Sequence, residues 1–380
     1  VRGILGTFLV GLGLLPFFGT GLTTLTMTVI VGIGALCVCD FTNKRTAGLC
    51  AVGLLAALAL PFDYYKQFNL GNYRVEQVYE GRSGVATYVP TSRFYHIIDM
   101  NRTASASALV RDPSPTDQYE AWRWNLTDLF AVDPTFRPRN VLIIGIGHAY
   151  LMDALLDLPF IERITVVDIS EEVVQAVKDH TKSSTKRVFT DPRVKIVIAD
   201  GRRYVQQALA RGERFDLIQT KINEPWHAGS GNLFTVEFMK LQRQLLTNGG
   251  YLGVRPLVGH ARDALQVFDQ ALYTGYYHVY FKNGTLPAIT QATITPDIKR
   301  AWFSDLPGRE PVAQRADTLN VLVLDNPQIL SDVDANTDNN PTFEYYWLRK
   351  ILGIWRSPRV ELSNQQFAPL KKTVPVVVVN

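Results

Sequence analysis

Four short stretches hold residue types that could do chemistry together. The first is Gly145-Ile146-Gly147-His148-Ala149, at the end of an apolar run. Glycines there let the backbone approach a ligand closely, and a helix that follows offers free N–H groups. A tight strand–helix turn would use the same residues. The second is Asp168, about twenty residues on, where a carboxylate can accept hydrogen bonds from ribose hydroxyls or cap a helix. The third is Asp200-Gly201, which could hold an adenine amino group beside a close backbone or simply turn the chain. The fourth is the loop Thr220–Gly229, TKINEPWHAG, with Lys221, Glu224, Pro225, Trp226 and His227. A desolvated lysine has a lowered pKa and can act as a base. Glu224, His148 and His227 could also move protons near neutral pH. Position 150 is Tyr, so G-x-G-x-x-G is not met. The three strand-end groups therefore favour an adenosyl ligand over a dinucleotide.

These residues need a scaffold that gathers them. Apolar runs recur at Val141–Ile144, Ile164–Val167, Val194–Ala199, Phe215–Ile218, Tyr251–Val254, His278–Phe281 and Leu319–Leu324. Between them, Leu151–Leu158 and Phe234–Leu246 have helical character, and Ser170 with Glu171 and Glu172 suits a helix start. Mostly apolar strands alternating with helices indicate a parallel sheet covered on both faces. Such sheets bind ligands at the carboxyl ends of their strands, near the switch in strand order. Upstream, Gly84–Val89 and Phe94–Met100 read as a β-hairpin, and Gln118–Phe130 as a helix. Downstream, Val376–Val379 has strong β propensity and could pair with a sheet edge of this chain or of a partner.

Composition removes other classes. The chain has 380 residues, 47% hydrophobic and 19% charged, which excludes a disordered chain. The net charge of +4 gives no concentrated basic footprint, and no nucleic-acid partner is expected. All three cysteines, Cys37, Cys39 and Cys50, lie in the first 50 residues, so a disulfide scaffold or Cys-based zinc site is excluded beyond them. The six histidines show no pair at metal-ligand spacing, and no metal site is expected.

Residues 1–62 carry only Arg2, Asp40, Lys44 and Arg45 as charges. Their apolar runs, Ile4–Phe18, Leu22–Val38 and Ala47–Phe62, approach the ~20 residues a membrane-spanning helix needs. The expectation is three transmembrane helices in a bacterial inner membrane, with lipid and membrane proteins as partners. The distribution of Arg2, Lys44 and Arg45 leans toward placing the large domain outside the cytoplasm. Val1 in place of Met fits a non-AUG start or a missing N-terminus.

The runs NVLIIGIG, TVVDIS, DPRVKIVIADGRRYV, FDLIQTKINEPWHAGSGNLFTVEF and NTDNNPTFEY together resemble the spermidine synthase-like family, in its bacterial branch fused to membrane helices. The resemblance runs from about Val75 to Tyr345. It implies transmembrane helices over 1–62, a linker and small β subdomain over 63–117, a methyltransferase-like Rossmann sheet over 118–330, and a tail over 331–380 able to dock. It further implies decarboxylated S-adenosylmethionine as aminopropyl donor and a polyamine as acceptor. Gly145, Gly147 and His148 would line the donor, Asp168 would bind ribose, and Asp200 with Gly201 would approach adenine. Pro225 and Trp226 would belong to the acceptor loop. Active members of the family keep an acidic residue where Lys221 stands and an Asp where His148 stands; Glu224 is the acidic group that survives nearby. From these departures the expectation is a catalytically lapsed protein that binds no cofactor and acts as an accessory subunit of a membrane complex. The alternative is a working transferase that uses S-adenosylmethionine or its decarboxylated form, with Lys221 and Glu224 as the catalytic pair. Active members commonly dimerise through the catalytic domain, which leaves a homodimer open.

Overall fold

The computed structural model describes residues 69–70, 73–90, 94–99, 106–109, 118–181, 185–222, 230–275, 278–303, 318–325, 336–339 and 371–379, with six isolated positions earlier in the chain. It divides into two units. One comprises residues 1–110 with 170–176, and the other residues 111–169 with 177–380.

In the first unit, β1 (Asn69–Leu70) pairs antiparallel with β2 (Tyr73–Arg74). The strands β3 (Gln77–Glu80), β4 (Val85–Pro90), β5 (Phe94–Asp99) and β6 (Ala106–Leu109) form an antiparallel meander in that order. The expected hairpin is its centre, with Tyr88 opposite Ile97.

The second unit opens with α1 (Gln118–Val132). Strands and helices then alternate: β7 (Asn140–Ile144), α2 (Tyr150–Leu156), β8 (Arg163–Asp168), α3 (Glu171–His180, of which residues 171–176 fall in the first unit), β9 (Val194–Ile198), α4 (Gly201–Ala210) and β10 (Phe215–Thr220). After a short 3₁₀ turn, Gly231–Phe234, come α5 (Val236–Leu245), β11 (Leu246–Val254) and α6 (Val258–Ala264). They are followed by β12 (Ala271–Tyr273), β13 (Val279–Lys282), β14 (Ala292–Ile294), α7 (Pro296–Trp302), β15 (Thr318–Leu324) and β16 (Lys372–Val378).

The ten strands from β7 onward make one sheet in the order β14-β16-β15-β12-β13-β11-β10-β7-β8-β9. From β9 to β11 all neighbours are parallel, and β13 enters antiparallel between β11 and β12. This is the Rossmann-like methyltransferase arrangement. Strand order reverses at β7, which lies between β8 and β10, so the ends of β7 and β10 flank the switch point. The central strands are apolar on both faces because helices cover both: Val141, Leu142, Ile143 and Ile144 are all buried. Tyr204, Val205 and Ala208 of α4 and Phe238, Met239 and Leu245 of α5 pack into the same core as Leu142 and Ile218.

Three expectations are corrected. No helix among the described residues is long and apolar enough to cross a membrane. The expected transmembrane helices, the inner-membrane location and the outward-facing domain therefore lose their basis. The three apolar runs themselves lie outside the described residues except at six positions. Secondly, Leu246 does not continue a helix. It opens β11, and Asn248, Gly249 and Gly250 are absorbed in a register irregularity between Phe215↔Leu246 and Leu217↔Tyr251. Gly249, at φ +78°, makes that irregularity possible. Thirdly, the helix expected from Leu151 begins at Tyr150 and ends at Leu156. The C-terminal valines pair within this chain. β16 lies between β14, to which it is parallel, and β15, to which it is antiparallel.

Candidate functional site

The loop after β7 is shaped by three residues with positive φ: Gly145 (+92°), Gly147 (+53°) and Ala149 (+65°). Two hydrogen bonds extend the sheet into it. Gly145 N–H donates to Val167 O (2.8 Å), and Lys221 N–H donates to Ile144 O (2.7 Å). Asp168, at the end of β8, accepts the Ile146 N–H on Oδ2 at 2.8 Å. The carboxylate read as a ribose ligand is thus tied to the glycine loop and orients it. Ala149 stands at the N-cap of α2 in the left-handed region without a side-chain cap. A residue with a Cβ costs roughly 1–2 kcal/mol there.

Asp200 caps α4, accepting the Arg203 N–H at 2.8 Å. A Cβ on Gly201 would lie 2.6 Å from Ile144 Cγ2. Gly201 is therefore required for packing α4 against β7, whatever it does for a ligand.

Lys221 follows β10 and is buried. Its side chain runs across the glycine loop: a Cβ on Gly147 would meet Nζ at 2.7 Å and the side-chain stem at 3.2 and 3.3 Å. A Cβ on Gly145 would meet Ile222 Cδ1 at 3.0 Å. Both glycines thus make room for the chain leaving β10. Burial disfavours the ammonium form and lowers the Lys221 pKa to about 7.

A polar spine that sequence reasoning missed stands behind this lysine. His278, just before β13, bonds the backbone of Thr220 and feels the charge of Lys221. Asn125 of α1 donates through Nδ2 to His278 Nδ1 (3.1 Å) and to the Tyr280 hydroxyl (2.8 Å). An amide nitrogen only donates, so His278 Nδ1 accepts and the ring proton sits on Nε2. Burial first, and then the charge of Lys221, lower the His278 pKa to about 3, although its bond to the Thr220 backbone works the other way. Gln219 of β10 donates to the same Tyr280 hydroxyl at 3.1 Å. No local pattern could reveal the spine, because its members are separated by 61, 153 and 155 positions in the chain.

His148 is buried at the loop, its ring 5.6 Å from that of Tyr150. Tyr150 itself is buried in α2. The structure therefore gathers Gly145, Gly147, His148, Asp168 and Lys221 at the switch point, while Asp200 and Gly201 begin the helix that packs on β7. Glu224, Pro225 and Trp226 lie outside the described residues. Among the described residues no group of three or more His, Cys, Asp or Glu side chains could hold a metal ion.

Residues 128–255 match the spermine/spermidine synthase domain. The chain is 31% identical over 137 residues to the polyamine aminopropyltransferase of Pyrobaculum islandicum, covering 36% of this chain and 46% of that one. It is 34% identical over 116 residues to polyamine aminopropyltransferase 1 of Hyperthermus butylicus, covering 30% and 40%. The chain thus spans less than half the length of the curated relatives it matches. Among solved structures it is similar to a spermidine synthase in complex with the transition-state analogue AdoDATO, with a TM-score of 0.40 and 21% identity over 58% of this chain and 80% of that one. It is also similar to spermidine synthase from Thermotoga maritima, with a TM-score of 0.41 and 21% identity over 56% and 75%. The expectation of a lapsed accessory subunit of a membrane complex is overturned by the domain match and by relatives named as aminopropyltransferases. The working-transferase alternative fits them better.

Proposed function

We propose that this protein transfers an aminopropyl group from decarboxylated S-adenosylmethionine to an amine. The single observation that carries the reading is Lys221: a buried amine laid on Gly147 at the switch point, with its pKa lowered to about 7. The synthase-domain match over residues 128–255 and the names of the relatives support it.

In this reading the open glycine backbone at Gly145 and Gly147 lies along the donor. Asp168 is the ribose ligand, and Asp200 with Gly201 borders the adenine. The acceptor nitrogen's lone pair forms a bond to the donor carbon attached to sulfur. The C–S bond breaks, and its electrons leave on sulfur as a neutral thioether. The new ammonium passes its proton to Lys221 Nζ. With its pKa near 7, a large share of the lysine is uncharged at neutral pH, and that uncharged form can accept the proton without repelling a cationic acceptor. Asn125 and His278 brace the Thr220 peptide from which the lysine projects. Glu224 remains a proposed partner from the acceptor loop.

One observation favours a second reading. When protonated, a lysine over the glycine loop pairs with a carboxylate, which intact S-adenosylmethionine carries and its decarboxylated form lacks. The test is product analysis by mass spectrometry, with each donor offered alongside a panel of di- and polyamines. Aminopropylated amine from the decarboxylated donor is expected, and its loss in Lys221→Met. Product from intact S-adenosylmethionine alone would establish the second reading. No product from either donor would sink both.

A further inference from the structure

The run NTDNNP has no part in the chemistry above, yet its described residues make a dense set of bonds. Asn336 is completely buried. Its N–H donates to Asp263 Oδ2 of α6 at 3.1 Å, and its Nδ2 donates to Gly231 O at 2.9 Å. Its carbonyl accepts the Val236 N–H at 3.0 Å, satisfying an N-terminal donor of α5. Two residues on, Asp338 N–H donates to Glu237 Oε2 at 3.0 Å. The Asp338 carboxylate takes a two-pronged bond from Arg202, with Nη1 to Oδ1 at 2.7 Å and Nη2 to Oδ2. Such forked pairs are directional as well as charge-assisted, and Arg202 holds the Asp338 carboxyl below its usual pKa. Arg202 also donates to Asn232 O (3.1 Å) and Thr235 Oγ1 (3.3 Å).

The placement of these bonds matters. Arg202 follows Gly201 directly, at the start of the helix assigned to the adenine end of the donor. Gly231, Asn232, Thr235 and Val236 form the far base of the acceptor loop that begins after Lys221. The near base is held to β7 by the Lys221 N–H. The far base is held by the strap at 336–339. Resting on the transferase reading, we propose that Asn336 and Asp338 are positioning residues, which fix the far base of the acceptor loop to the donor-binding helix and so set acceptor affinity.

The test uses Asp338→Ala, Asn336→Asp, and a charge-reversed pair, Arg202→Asp with Asp338→Arg. Asn336→Asp keeps the shape but turns a side-chain donor toward Gly231 O into an acceptor. Each is measured by hydrogen exchange over residues 223–235 and by steady-state kinetics with the amine varied. Asp338→Ala is expected to speed exchange over 223–235 about tenfold and to raise acceptor KM about tenfold, with kcat much less affected. Asn336→Asp should do the same more strongly, and the reversed pair should recover most of the KM. A role in folding alone would lower stability without this KM-against-kcat split. Unchanged exchange over 223–235 in Asp338→Ala, faster exchange with no rise in KM, or no recovery in the reversed pair would overturn the proposal. If the wild-type chain transfers nothing, the transferase reading falls, and the exchange rates alone decide whether the strap holds the loop.

Discussion

From β9 to β11 the strands of the large sheet run parallel, so their carboxyl ends collect on one side. From β11 outward, through β13, β12, β15 and β16, each neighbour reverses direction. The parallel part presents residues just past strand ends: Gly145, Asp168 and Lys221. The outer part contributes residues at or within its strands, His278 and Tyr280, which face inward and brace what the parallel part presents. The two parts have similar apolar cores but different jobs. In one, backbone ends converge on a ligand. In the other, side chains stiffen the platform. A substitution should therefore report on chemistry or on stability according to which part it strikes.

Lys221→Met should produce the largest separation. Removing a proton acceptor should lower turnover about a thousandfold. The fold should lose nothing, since an apolar side chain replaces a buried amine. The pH dependence sharpens this. The folded-state pKa of Lys221 is about 7, against 10.5 for an ordinary solvated lysine. Between those values the unfolded chain binds a proton that the folded chain does not. Lys221 thus makes stability rise with pH across that window, by at most about 1.4 kcal/mol per unit. Denaturant titrations from pH 7 to 10 should show this slope in the wild type and its absence in Lys221→Met. An unchanged slope would place the lysine in water.

Leu322→Ala strikes the outer part. Leu322 is fully buried in β15, opposite Tyr273. Its loss should cost about 2–5 kcal/mol of unfolding free energy and leave the pH–rate profile of the surviving folded enzyme unmoved. Gly147→Ala falls next. It places a Cβ 2.7 Å from the lysine nitrogen at φ +53°. Destabilisation of about 1–2 kcal/mol should come with a shifted pH–rate profile, because the amine must move. If the profile holds still, Lys221 is not the group that titrates. Ala149→Gly should have the smallest effect. It relieves the left-handed strain but gives up a buried methyl, so Tm should rise by a degree or two at most.

In the parallel part, β7, β8 and β10 were legible in the sequence because they are buried on both faces and read as largely apolar runs, broken only at Thr165 and Asp216, with Gly145, Asp168 and Lys221 at or just past their ends. The outer part was harder to read. β12 and β14 have three residues each, too few for a period to show, and β11 hides its first turns in Asn248-Gly249-Gly250. The candidate site was legible at its strand ends for the same reason. Its bracing was not. Asn125 lies inside the expected helix Gln118–Phe130 and His278 at the start of an expected strand; their meeting depends on pairing between distant elements. The identity of Lys221 was visible and a base was one of its readings, but the burial that decides between cation and base was not. A lysine reads as a cation until burial is known, and burial is what turns it into a base.

The placement of β16 also bears on how the chain is made. Among the described residues β14 has no neighbour in the sheet other than β16, and the outer side of β15 is also covered by it. On a ribosome, residues 292–294 and 318–324 emerge well before residues 372–378. Until those valines arrive, one strand lacks a hydrogen-bonded neighbour and another shows a bare margin of open amides and carbonyls, the kind of edge that recruits other chains. The interval between the two events is the period in which a nascent molecule most needs a chaperone, and shortening the tail would make that interval permanent.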